Sequence, residues 1–73
     1  MLDYNEMTGH QQRVLDEYRE LDGRLSRLFG FIIHNDTFKT LPVEEQELLR
    51  KQSEAMVEYK SVLKARITAF SGE

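Results

Sequence analysis

The chain has 73 residues, enough for one small domain, and no cysteine, which excludes disulfides, thiolate metal sites and cysteine nucleophiles. A net charge of −3 with 32% charged residues argues against nonspecific duplex binding, whose affinity comes from surplus Lys and Arg neutralising phosphates. The longest apolar stretch, Leu28 to Ile33 with Gly30 inside it, falls far short of the roughly 20 residues of a membrane span, and the acidic start lacks the positive region of a signal peptide; a soluble protein kept in the cytoplasm is expected.

Residues 1–7 show no period and read as a loose arm, in which Leu2, Tyr4 and Met7 would pack on a neighbour once an oligomer exists. Thr8-Gly9-His10-Gln11 has the form of a capping box, so a helix is predicted over 8–34. Along it Val14, Tyr18, Leu21, Leu25, Leu28 and Ile32 recur at alternating spacings of four and three, the seam of a coiled coil. A partial second row, Leu15, Leu21, Phe29 and Ile33, widens the apolar arc beyond what one partner helix covers.

His34-Asn35-Asp36 favours a cap or turn, and 35–41 is predicted as the connection. Pro42 suits the first position of a second helix, predicted over 42–70 and ended by Ser71-Gly72, with Glu44 and Glu45 at the positive end of its dipole. Its apolar row Leu49, Met56, Leu63 and Phe70 steps by seven, flanked by Leu48, Ala55, Val62 and Ala69 on one side and by Tyr59 and Ile67 on the other. The expected fold is all-α, one antiparallel two-helix hairpin spanning 1–73. One seam is a small core, and both helices carry apolar residues outside it, so hairpins are expected to assemble into a helical-bundle homo-oligomer.

No catalytic constellation stands out. His10 and His34 lack zinc-type spacing, Ser26, Ser53, Ser61 and Ser71 fall in no nucleophile motif, and there is no glycine-rich phosphate loop; neither an enzyme nor a metal or cofactor is expected. The basic residues Arg13, Arg24 and Arg27 on the first helix and Arg66 on the second are the candidate phosphate ligands. The plain reading is a surface of ion pairs, since Arg13 and Glu17, Glu20 and Arg24, Glu47 and Lys51, and Arg50 and Glu54 are each four apart. Gln52, Tyr59 and Arg66 share one heptad row, where a closed core would want Leu or Ile. That row either sets the register of the assembly, or lines a pocket in which arginine grips phosphate and Tyr59 or Tyr18 stacks on a base while Gln52 adds a polar contact.

The run His10-Gln11-Gln12-Arg13-Val14, Glu17, Glu20-Leu21, Leu25, Leu28 and Phe31-Ile32, followed by Phe38, Leu41-Pro42, Glu45-Gln46, Leu48-Leu49, Gln52, Met56, Tyr59, Leu63, Arg66-Ile67 and Phe70, resembles a family of very small helical-hairpin proteins of tailed bacteriophages and prophages. In shape that family is similar to viral sponge proteins of the anti-CBASS, anti-Thoeris and Sequestin-like kind. The resemblance covers about residues 10 to 70 and implies a non-enzymatic protein of the bacterial host cytoplasm that sequesters a cyclic nucleotide or ADP-ribose-derived immune signal; no family ligand motif aligns with this chain. The rival expectation is a protein-interaction module, an inhibitor or adaptor of a host protein, with Leu15, Phe29 and Ile33 exposed.

Overall fold

The structure, a computed structural model, describes residues 3–70. The chain forms helix α1 over Gly9–His34, a short helix α2 over Asp36–Thr40 and helix α3 over Val43–Phe70, preceded by one 3-10 turn at Tyr4–Glu6. Helices α1 and α3 pack on each other along their length, so the body is a rod of 47 × 17 × 16 Å.

The start of α1 follows from local chemistry. Thr8 Oγ1 accepts from the amide of Gln11 at 3.2 Å and the Gln11 side chain accepts from the amide of Thr8 at 3.0 Å, a complete capping box. Ahead of it the arm is docked on its own chain, where the sequence suggested a loose arm waiting for a neighbour. Met7 is buried in the core, the Tyr4 hydroxyl donates to Asp16 at 3.0 Å, and Gln12 donates to the Tyr4 carbonyl at 2.9 Å. Leu2 lies outside the described residues.

The connection differs from the plain turn expected at 35–41, because it contains α2. Asn35 serves two helices: its amide donates to the Phe31 carbonyl at 3.3 Å, closing α1, and its side-chain oxygen accepts from the amide of Thr37 at 2.9 Å, opening α2. Phe38 anchors this corner. It is buried, meets Phe31 edge-on with ring centroids 5.9 Å apart, and has the Arg50 guanidinium 5.2 Å from its ring centroid. Gln46 ties the chain down by donating to the Leu41 carbonyl at 2.9 Å. Pro42 stands one residue ahead of α3, its carbonyl accepting from the amide of Gln46 at 3.0 Å, so it precedes the first helical position instead of filling it. The expected stop at Ser71-Gly72 lies outside the described residues.

The core is the seam between the two long helices. Val14, Leu15 and Leu21 of α1 interlock with Leu63 and Ile67 of α3 and with Met7, while Tyr18, Met56 and Phe70 pack against this cluster. Leu63 is fully buried. Ser53, the one buried polar residue in this set, is satisfied by donating to the Arg50 carbonyl one turn back at 2.7 Å. Two expectations are corrected by the packing. Leu15 belongs to the core and is not exposed, because the docked arm and α3 cover it; Tyr59 lies with Leu48 and Val62 on the exposed side of α3, while Ile67 faces inward.

Candidate functional site

The long helices leave one edge of the hairpin lined by two distinct rows. On α1 it is His10, Arg13, Glu17, Glu20, Arg24 and Arg27, spaced three and four apart so that all fall on one stripe, and all exposed. Facing it on α3 stand Gln52, Tyr59 and Arg66, also exposed. Two contacts join the rows: Arg66 Nη2 lies 3.4 Å from His10 Nε2, and Tyr59 forms the α3 wall of a shallow cleft of about 240 Å³ whose other walls are Glu17, Glu20, Leu21 and Arg24. The His10 ring in turn meets Phe70 edge-on at 6.4 Å.

The structure thus brings Arg24 and Tyr59 into one cleft and sets Arg13, Arg27, Arg66 and Gln52 along the same edge. Tyr18 is placed elsewhere. It is half-buried against the core, with Lys60 Nζ 5.7 Å from its ring centroid, on the side where Lys60 also pairs with Asp22 at 2.5 Å. Gln52 has the Met56 sulfur 3.9 Å from its amide nitrogen.

Charge in the cleft is mixed. Arg24 is held by Glu20 at 2.5 Å, both side chains nearly two-thirds exposed, so this pair is easily exchanged for another partner. Of the four pairs expected at a spacing of four, only this one closes within 4 Å among the described residues. Arg50 is drawn off to Phe38, while Arg13 and Arg27 lie back along α1, their guanidinium nitrogens 3.6 and 3.5 Å from where a Cβ would stand on Gly9 and Gly23. Arginines left without a carboxylate partner keep their hydrogen-bonding forks available to an incoming group.

Several residues that matter here carry little sequence signal. The Lys60–Asp22 bond joins positions 38 apart, and its hydrogen bond to Asp22 holds the Lys60 ammonium above its ordinary pKa. The hydrogen bond to Asp16 raises the Tyr4 hydroxyl in the same way. Both need the tertiary fold before they can be seen.

The fold is thus a small helical hairpin with a water-exposed cleft lined by arginine, glutamate, leucine and tyrosine, and no three His, Cys, Asp or Glu side chains are grouped to hold a metal among the described residues. A family model agrees in extent with the whole hairpin: Sequestin matches residues 8–69, and the chain belongs to that family. No curated protein and no solved structure matches it. No helix of the described residues is long and apolar enough to cross a membrane.

Proposed function

We propose that this protein is a phage-encoded, non-enzymatic sponge of the bacterial host cytoplasm, which sequesters a small nucleotide immune signal at pockets between copies of the hairpin. The Sequestin match over residues 8–69 is the observation that carries this reading, because the family name denotes sequestration and the match covers both long helices. The edge described above supplies suitable chemistry. Arg13, Arg24, Arg27 and Arg66 offer planar donors to phosphate oxygens, Tyr59 offers an exposed ring for a base, and Gln52 offers amide donors and an acceptor.

Size supports the inter-copy part of the reading. The cleft of about 240 Å³ is below the roughly 300–1,000 Å³ of ordinary small-molecule pockets, so a cyclic dinucleotide or an ADP-ribose derivative needs walls from a second hairpin. Tyr18, tied to the opposite side by Lys60, is the weakest of the proposed ligand residues. The test is a thermal-shift panel of cyclic di- and trinucleotides, cyclic ADP-ribose isomers and linear controls. One class should raise the melting temperature, since ligand at 100 times its dissociation constant stabilises by about 2.7 kcal/mol. A flat panel at high ligand concentration refutes the reading.

One observation favours a second reading, an adaptor or inhibitor of a host protein: Phe29 and Ile33 remain 38% and 65% exposed near the turn end of α1. Replacing both with polar residues should abolish such an interaction while leaving nucleotide-induced stabilisation intact.

A further inference from the structure

We propose that two copies of this chain associate about a twofold axis level with residues 22 and 57, α3 antiparallel to α3 and α1 antiparallel to α1, through the edge that carries Tyr59.

The first support is that α3 carries two interleaved seams. The inner one, including Leu49, Ser53, Met56, Leu63 and Ile67, faces α1. The outer one repeats it one residue earlier: Leu48, Ala55, Val62 and Ala69 step by seven, with Gln52, Tyr59 and Arg66 each four further on. An offset of one residue turns a helical face by about 100°, and roughly a right angle is what a corner helix of a four-helix bundle needs between its two neighbours. The inner seam already has its helix. The outer seam has none, and leaves Leu48 59% and Val62 53% exposed.

Antiparallel pairing suits this outer seam. With the axis at residue 57, the two α3 helices overlap along nearly all of Val43–Phe70, and the large ring of Tyr59 lies against the partner's Ala55. Arg66 falls opposite the partner's Leu48, along which its aliphatic stem can lie, whereas a parallel pair would set Arg66 against its own copy. Lys51 and Glu58 on the seam's flank stand five residues apart across the same axis, the offset at which charged flanks of coiled coils pair.

The second support is independent and comes from α1. The four residues of its row nearest the cleft read Glu17, Glu20, Arg24, Arg27, two negative charges followed by two positive, antisymmetric about residue 22, with Arg13 beyond them level with the partner's Phe31. A twofold axis at that level sets Glu17 against the partner's Arg27 and Glu20 against the partner's Arg24, and does so twice. The two axes coincide. Tyr59 stands across the cleft from the middle of Glu17–Arg24, so in an antiparallel hairpin residue 57 stands level with about residue 22. One rotation therefore satisfies an apolar seam on one helix and a charge pattern on the other.

The cleft lies on this axis, so the second copy roofs it and brings its own Arg24 and Tyr59 beside it. The proposal rests on the inter-copy reading above only for there being an assembly, and its test uses no ligand. Two full-length variants are made, Glu17→Lys with Glu20→Lys, and Arg24→Glu with Arg27→Glu, and their masses are measured by sedimentation or light scattering beside the parent chain. The parent should have at least twice the chain mass. Each variant alone should lose association through like-charge repulsion, and an equal mixture should regain it, because every facing pair is then opposite in charge. Helical circular dichroism follows folding; if the separate variants unfold, helicity should return on mixing. A folded monomeric parent, a variant that keeps the parental mass alone, or a mixture that regains neither mass nor helicity overturns the proposal. A flat nucleotide panel with successful mixing would defeat the sponge reading and leave this interface standing.

Discussion

Leu63 and Val62 are adjacent in sequence and face different surroundings, so truncating each to alanine separates the packing within the hairpin from everything outside it. Leu63 is fully buried where α1, α3 and the docked arm meet, among Met7, Val14, Leu15, Leu21 and Ile67. Because those neighbours come from three parts of the chain, they cannot all move inward at once, and Leu63→Ala leaves a cavity. The expected loss is about 2–5 kcal/mol. At about 4–8 °C per kcal/mol for a domain of this size, the melting temperature should fall by roughly 8 °C or more. Val62 is half-exposed, and alanine is the better helix former, so within one hairpin Val62→Ala should change stability by less than about 0.5 kcal/mol. The assay is thermal unfolding followed by helical circular dichroism at several protein concentrations. If Val62 is covered by a second copy, its cost should appear only where the assembly is populated, whereas that of Leu63 should persist at every concentration. Equal effects of the two substitutions at high dilution would refute the assignment of inner and outer seams.

Removing the cap with Thr8→Ala should cost about 0.5–2 kcal/mol, read as a lower unfolding midpoint, while Thr8→Ser should retain most of the stability. Glu20→Gln frees Arg24 from its carboxylate, so at concentrations where light scattering shows the assembly intact it should strengthen binding of any phosphate-bearing ligand that titration detects; weaker binding with the assembly intact would remove Arg24 from the phosphate site. The alkaline limit follows from two raised groups. Lys60, hydrogen-bonded to Asp22, and Tyr4, hydrogen-bonded to Asp16, both hold their protons more tightly folded than unfolded. Their contributions are complete below the ordinary values of 10.5 and 10.0 and are lost as pH rises through the higher folded values. Stability should be insensitive to these groups at neutral pH and decline above about pH 10, and Asp16→Asn should lower the pH at which Tyr4 ionises in an absorbance titration.

The seam and the cap of the hairpin were legible because they depend on local chemistry and fixed periods. Thr8 and Gln11 satisfy one another within a single turn, and Val14, Tyr18 and Leu21 of the expected row do pack with Leu63 and Ile67 of α3. What escaped depends on the third dimension. Asn35 looked like a breaker, yet the same residue ends one helix and caps the next, so α2 arises inside the expected turn. Met7 has no period around it, and its burial follows from Tyr4 reaching Asp16 twelve residues away. Arginine spacing suggested four ion pairs, but spacing alone does not weigh the attraction of the Phe38 ring for Arg50. At the candidate site, the row shared by Gln52, Tyr59 and Arg66 could be read directly; which side of α1 that row faces could not, and it is this that separates Tyr18 from Tyr59.

The outer seam of α3 is poorly optimised if stability is its only task. A closed apolar interface gains most from Leu or Ile at every inward position, yet this seam alternates Leu48, Ala55 and Val62 with Gln52, Tyr59 and Arg66. Alanine makes room for the partner's Tyr59 ring where leucine would crowd it, and the three polar or amphipathic side chains need partners once covered. Water can supply them when the site is empty, and under the sponge reading proposed above a nucleotide would supply them better, through phosphate oxygens for Arg66 and a base for Tyr59. On that view, association of two hairpins buries just enough apolar surface to hold the pair together, while the partly satisfied polar positions on the same face are what a ligand completes. Ala55→Leu should then crowd the partner's Tyr59 ring and weaken pairing and ligand binding together, a coupling that a purely structural seam would not show.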